Sequence, residues 1–136
     1  MIKTIVLLIL LTVTLKSMSQ NAPVITDTSY IASNGMTFFI GDDIKIGKGT
    51  LRFNKRDYFT YIYTAPWTFP RGSHLDQYFS GKLLKIKKIR TIGNDKRGHK
   101  VILVCGSGDL VHWWIEIEDA IRSGEIVVPE EFKKER

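Results

Sequence analysis

Ser73, His74 and Asp76 fall within one short stretch, and Cys105 shares its neighbourhood with His112, so a nucleophile held by a base is the first chemistry to weigh. Neither set has the form such chemistry needs. Adjacent Ser and His side chains in a loop do not by themselves make an oriented relay, and Gly106-Ser107-Gly108 lacks the first glycine of a nucleophile elbow. Cys105 closes an apolar run, which predicts a buried and inert thiol. The histidines His74, His99 and His112 have no ligand-like spacing for a metal. The stretch Gly41 to Thr50 invites comparison with a phosphate loop, but Gly49 separates Lys48 from Thr50 and the alternation of Ile44 and Ile46 reads as strand. No catalytic residue, metal site or cofactor is expected.

Two features point to binding. Lys82 to Lys100 holds Lys82, Lys85, Lys87, Lys88, Arg90, Lys96, Arg97 and Lys100 against the single acid Asp95, a local charge of +7. Such a hairpin attracts anions, although a solvated lysine-rich edge that discourages aggregation is the plainer reading. The second feature is the connection Thr64 to Ser80, too long for a hairpin turn and rich in Trp67, Phe69, Tyr78 and Phe79. Rings of this kind either cover one end of a core or, where exposed, anchor a partner. The candidate ligand-binding residues are Trp67, Phe69, Arg71 and His74 on this loop and Lys85, Lys87 and Lys88 on the basic hairpin. An anionic glycan, a lipid headgroup or an envelope protein would suit them.

The elements that must position these residues follow a leader. Lys3 precedes the apolar run Ile5 to Val13, and Ser17-Met18-Ser19 supplies small residues for cleavage, so residues 1–19 read as a secretory signal peptide. The run is too short for the roughly 20 apolar residues of a membrane span, and no span is expected after cleavage. Removal of residues 1–19 leaves 117 of the 136 residues and lowers the formal charge from +6 to +4, by loss of Lys3 and Lys16. Export argues against nucleic acid as the partner. A single cysteine rules out an internal disulfide framework.

Residues 20–34 read as a flexible tether, residues 35–129 as one β-rich domain and residues 130–136 as a charged tail. Met36 to Ile40 and Ile44 to Ile46 alternate around the turn formers Gly41-Asp42-Asp43, and Tyr58 to Tyr63 gives an aromatic third strand. Between Lys82 and Ile92, Leu84 and Ile86 share one parity and Ile89 has the other, which predicts a bulge near Lys87-Lys88. Val111, Trp113, Ile115 and Ile117 alternate with His112, Trp114, Glu116 and Glu118, the clearest strand in the chain. A short helix over Glu116 to Ser123 should end at Gly124, and Ile126 to Val128 offers a closing strand. Six to seven short strands with one late helix favour a small SH3-like or OB-like barrel, with a two-layer α+β sheet as the alternative.

Gly35 to Ile44 and Trp114 to Ile126 resemble small exported β-rich proteins of Bacteroidetes, and cleavage directly before Gln20 is similar to leaders of that group. The resemblance implies an exported β-domain and transfers no activity. The expected function is a non-enzymatic binding or interaction module in the periplasm or outside the cell. A small periplasmic hydrolase drawing on His74 and Asp76, or a structural component of an envelope assembly, are the alternatives.

Overall fold

The computed structural model describes residues 23–68 and 72–133, so the expected leader lies outside the described residues. Ten strands lie among the described residues: β1 Val24–Ile25, β2 Ser29–Ile31, β3 Thr37–Phe39, β4 Asp43–Lys45, β5 Leu51–Phe53, β6 Arg56–Thr64, β7 His74–Asp76, β8 Leu83–Asn94, β9 Gly98–Gly106 and β10 His112–Glu116. The helix α1 spans Ile117–Ser123. The first three strands form a small antiparallel sheet. The rest form a seven-stranded sheet along the path β4-β8-β9-β10-β6-β5, with β7 also paired to β6.

The long hairpin β8–β9 turns where the turn-forming residues predict. Gly93 and Gly98 take positive φ, the Arg97 amide donates to Asn94 Oδ1 at 2.8 Å, and a Cβ on Gly93 would meet the Gly98 carbonyl oxygen at 2.1 Å. The predicted bulge is present. Pairing passes from Ile86↔Cys105 to Lys88↔Val104 and leaves Lys87 as the extra residue, so Ile86 and Ile89 both reach the core despite their opposite parity.

One face of the large sheet builds the main core. Ile62, Leu103 and Ile115 lie side by side across β6, β9 and β10, fully buried, each contributing roughly 1.5–3 kcal/mol of hydrophobic stabilisation. α1 adds Ile117 and Ala120 to the same core and stops at Gly124, whose φ of 81° provides the left-handed cap the sequence predicts.

The expected flexible tether is a correction. Within residues 20–34, β1 and β2 are ordered in the small sheet, and Tyr30 and Ala32 are buried in the main core. Glu118 on α1 holds this sheet in place: it accepts hydrogen bonds from the Tyr30 hydroxyl, the Ser33 amide at 2.9 Å and the Ser33 hydroxyl at 2.6 Å. Sequence periodicity has no access to a partner this distant in the chain.

The chain is mainly β, as expected, but the sheet is not a closed barrel. β4 and β5 end its path, and no ladder joins them among the described residues. Residues 124–127 stitch the gap instead. The expected closing strand is reduced to the bridge Ile46↔Ile126, with the Val127 amide donating to the Lys45 carbonyl and the Gly47 amide to the Glu125 carbonyl. The Glu125 side chain then reaches β6. Fully buried, its carboxylate accepts from the Thr50 amide and hydroxyl at 3.2 and 2.6 Å and from the Thr60 and Tyr61 amides, each at 2.7 Å. Those two amides lie between the part of β6 that pairs with β5 and the part that pairs with β10. A carboxylate thus supplies acceptors where no strand does.

The glycines once comparable with a phosphate loop serve this closure. A Cβ on Gly47 would meet the Gly124 carbonyl oxygen at 2.3 Å, and one on Gly49 the Tyr58 carbonyl oxygen at 2.5 Å. Backbone, not anion, occupies the space beside them.

Candidate functional site

The outward face of the large sheet carries the chain's most unusual grouping. Cross-strand pairing sets Tyr63, Trp114, Val104 and Lys88 in one row across β6, β10, β9 and β8. Glu116, Ile102 and Arg90 make the next row. The bulge at Lys87 is what brings Lys88 and Arg90 to this face. Without it, β8 would present the opposite parity here.

A turn from β6 completes the grouping. The Thr68 amide donates to the Ala65 carbonyl at 2.9 Å, with Pro66 as the first central residue, where its fixed φ suits a turn, and Trp67 as the second. The turn is pinned to β10, because the Ala65 amide donates to the His112 carbonyl and the His112 amide to Thr68 Oγ1. Trp67 therefore lies edge-on to Trp114 at 5.9 Å and beside His112 at 6.2 Å. Beneath it, Ala65, Ile102, Val104 and Trp114 form a second, smaller apolar cluster. Trp67 itself stays 54% exposed.

The Arg90 guanidinium sits over both rings, 5.7 Å from Trp67 and 5.6 Å from Trp114, within the range of cation–π attraction. Neither Arg90 nor Lys88 has a carboxylate partner among the described residues. Among the described residues, the acid in these rows is occupied: Glu116 accepts from Lys100 Nζ at 2.7 Å, and Asp119 lies 3.6 Å from the same ammonium. The hydrogen bond and charge of Glu116 raise the Lys100 pKa above its ordinary value. Burial, reinforced by Glu116, pushes the Tyr63 hydroxyl up to about 12, so it stays neutral near pH 7. Among the described residues, the face is left with two unpaired cations beside an exposed indole. Trp114 Nε1 and His112 Nδ1 are buried there without partners among the described residues.

Of the residues singled out from sequence, Trp67 and Lys88 belong to this grouping. Lys85 turns to Asp43, at 3.6 Å, and Lys87 lays its methylenes against Gly106. His74 is on β7, on the opposite side of β6 from β10, where its Nδ1 donates to the Phe59 carbonyl at 2.7 Å and its ring meets the edge of Tyr63. Phe69 and Arg71 lie outside the described residues. The long connection is not one open loop, for β7 and a 3-10 turn at Gln77–Phe79 fold its second half onto the core through Leu75 and Phe79.

Arg90, Trp114 and Tyr63 were missed as candidates. The signal was the bulge itself, which gives Arg90 the parity of Lys88, together with the alternation that turns Trp114 outward.

The groups weighed for nucleophilic chemistry are dispersed. Asp76 accepts from Arg56 at 2.8 and 3.0 Å and caps the 3-10 turn, so it does not orient His74. Tyr63 stands between the strands of His74 and His112. Cys105 is buried on the core face, where desolvation pushes its thiol pKa far up. No cluster of three or more potential metal ligands occurs among the described residues. A cavity of about 530 Å³ opens between β1, the β8–β9 hairpin and α1, but its charged groups Lys100, Glu116, Glu118, Asp119 and Arg122 already pair with one another or with Tyr30 and Ser33.

No helix among the described residues is long and apolar enough to cross a membrane. Comparison with protein-family models, curated proteins and solved structures finds no match to the chain.

Proposed function

We propose that the protein is an exported binding module that holds its partner against the outward face of β6, β10, β9 and β8 and does not turn it over. One observation carries the reading: Arg90 lies over Trp67 and Trp114 with no acid among the described residues to neutralise it. An exposed indole beside an unpaired guanidinium is an arrangement that interfaces use as an anchor, because both groups give large contact area at low entropic cost. The leader expected at residues 1–19 supports a periplasmic or extracellular setting. The stitching of β4 to β6 by residues 124–127 supports an SH3-like or OB-like plan for the sheet.

The test is capture from an envelope extract by the chain produced from its full-length gene and purified as exported. Wild type and a Trp67→Ala/Arg90→Ala variant of equal thermal stability are compared. Material retained by the wild type and lost by the variant supports the reading; equal retention by both overturns it.

A further inference from the structure

We infer that the outward face binds an acidic polysaccharide, with a sugar ring against Trp67 and a carboxylate or sulfate group on Arg90. This deepens the proposed function and rests on it. The Arg90 guanidinium lies 5.7 and 5.6 Å from the two ring centres with no carboxylate partner among the described residues, and its fork of N–H donors matches the two oxygens of a carboxylate or sulfate. The exposed Trp67 ring beside it offers an apolar surface for the C–H face of a pyranose.

Lys88 extends the charge along the sheet. It precedes Arg90 by two residues on β8, which at about 3.3 Å per residue places the two backbone positions roughly 7 Å apart on the same face. A polymer with an anionic group on successive residues would meet Arg90 and Lys88 in turn. The acid on this face does not oppose it, because Glu116 is held by Lys100.

Two other classes of partner fit less well. A bilayer surface calls for a cluster of apolar side chains able to enter it, whereas of the two rings beneath Arg90 only Trp67 is exposed, at 54% against 9% for Trp114. Single-stranded nucleic acid calls for successive stacking rings along a basic groove, and among the described residues of this grouping one indole is open.

The experiment is titration of the full-length-derived exported chain, followed by indole fluorescence and calorimetry. The probes are a polyuronate oligosaccharide, a neutral oligosaccharide of equal length, a single-stranded oligonucleotide and vesicles containing anionic phospholipid. The expected result is saturable polyuronate binding that weakens with salt and falls about tenfold or more in Arg90→Ala and in Trp67→Ala. Lys88→Glu, a change at an exposed position, should weaken it too, while Lys96→Ala at the hairpin turn should leave it unchanged.

Equal binding of the neutral oligosaccharide, polyuronate binding indifferent to Arg90, or no polyuronate binding overturns this inference. Binding of the oligonucleotide or vesicles in its place, lost in the Trp67 and Arg90 variants, overturns the polysaccharide and leaves the surface standing. Binding of any probe that ignores both Trp67 and Arg90 overturns the surface as well.

Discussion

Trp113 and Trp114 are neighbours in sequence, are equally buried at 9% exposure, and each has an indole N–H without a partner among the described residues. They differ in company. Trp113 points into the main core beside Phe79, at 5.7 Å, and contributes apolar area. Trp114 points outward and is roofed by one exposed ring and one cation. The difference teaches that burial alone does not separate a tryptophan that fills the core from one on the face proposed to bind. The chemistry of what covers it does.

That contrast would break if truncation cost the same on the two faces. On the core face Ile115→Ala should cost about 2–5 kcal/mol, seen as a lower urea midpoint at unchanged slope. Glu125→Ala should come next, at about 3 kcal/mol, because the Thr50, Thr60 and Tyr61 amides would be left without their acceptor. A loss under about 1 kcal/mol there would show that water reaches these amides readily.

Smaller effects sharpen the comparison. Glu118→Gln should cost about 1 kcal/mol, since the carboxylate is only partly buried and solvent screens it. Burial alone would raise the Glu118 pKa, but hydrogen bonds from Ser33 and Tyr30 outweigh it and hold the value below the ordinary 4.5. Its stabilisation is therefore complete above that ordinary value and is lost as pH falls through the depressed folded value. Amide exchange at Ser33, corrected for its intrinsic rate, should rise across that window in the wild type and not in Glu118→Gln.

On the outward face Trp67→Ala should shift the same urea midpoint by less than about 1 kcal/mol while removing most binding, the reverse of Ile115→Ala. The smallest effect has the opposite sign. Asn54 and Lys55 both take positive φ, 49° and 66°, in the two-residue turn between β5 and β6, so Lys55→Gly should stabilise the protein by roughly 0.5 kcal/mol, seen as a rise in Tm.

Much of the sheet was legible because it obeys local rules. The two faces of β10 follow from alternation, the bulge at Lys87 from a break in parity, and the end of α1 from Gly124. What escaped reading depends on distant partners. Tyr30 lies in a stretch without sustained periodicity and is held by Glu118 on α1. The β5–β6 hairpin was hidden because Asn54-Lys55 lacks the glycine that marks such turns. At the site, Trp67 was legible as an aromatic residue on a long connection. Arg90 was submerged in the run of like charges, and only cross-strand register separates it from its neighbours.

The carboxylate of Glu125 also orders events in time. Its hydrogen-bond donors precede it by 64 to 75 positions, and ring closure over such a separation is slow compared with a hairpin. While the chain is being made, the Thr60 and Tyr61 amides of β6 lack this acceptor until residue 125 has emerged. The largest sheet therefore locks only when that acceptor arrives, and any intermediate in which residues 124–127 have not docked carries β6 with two open amides.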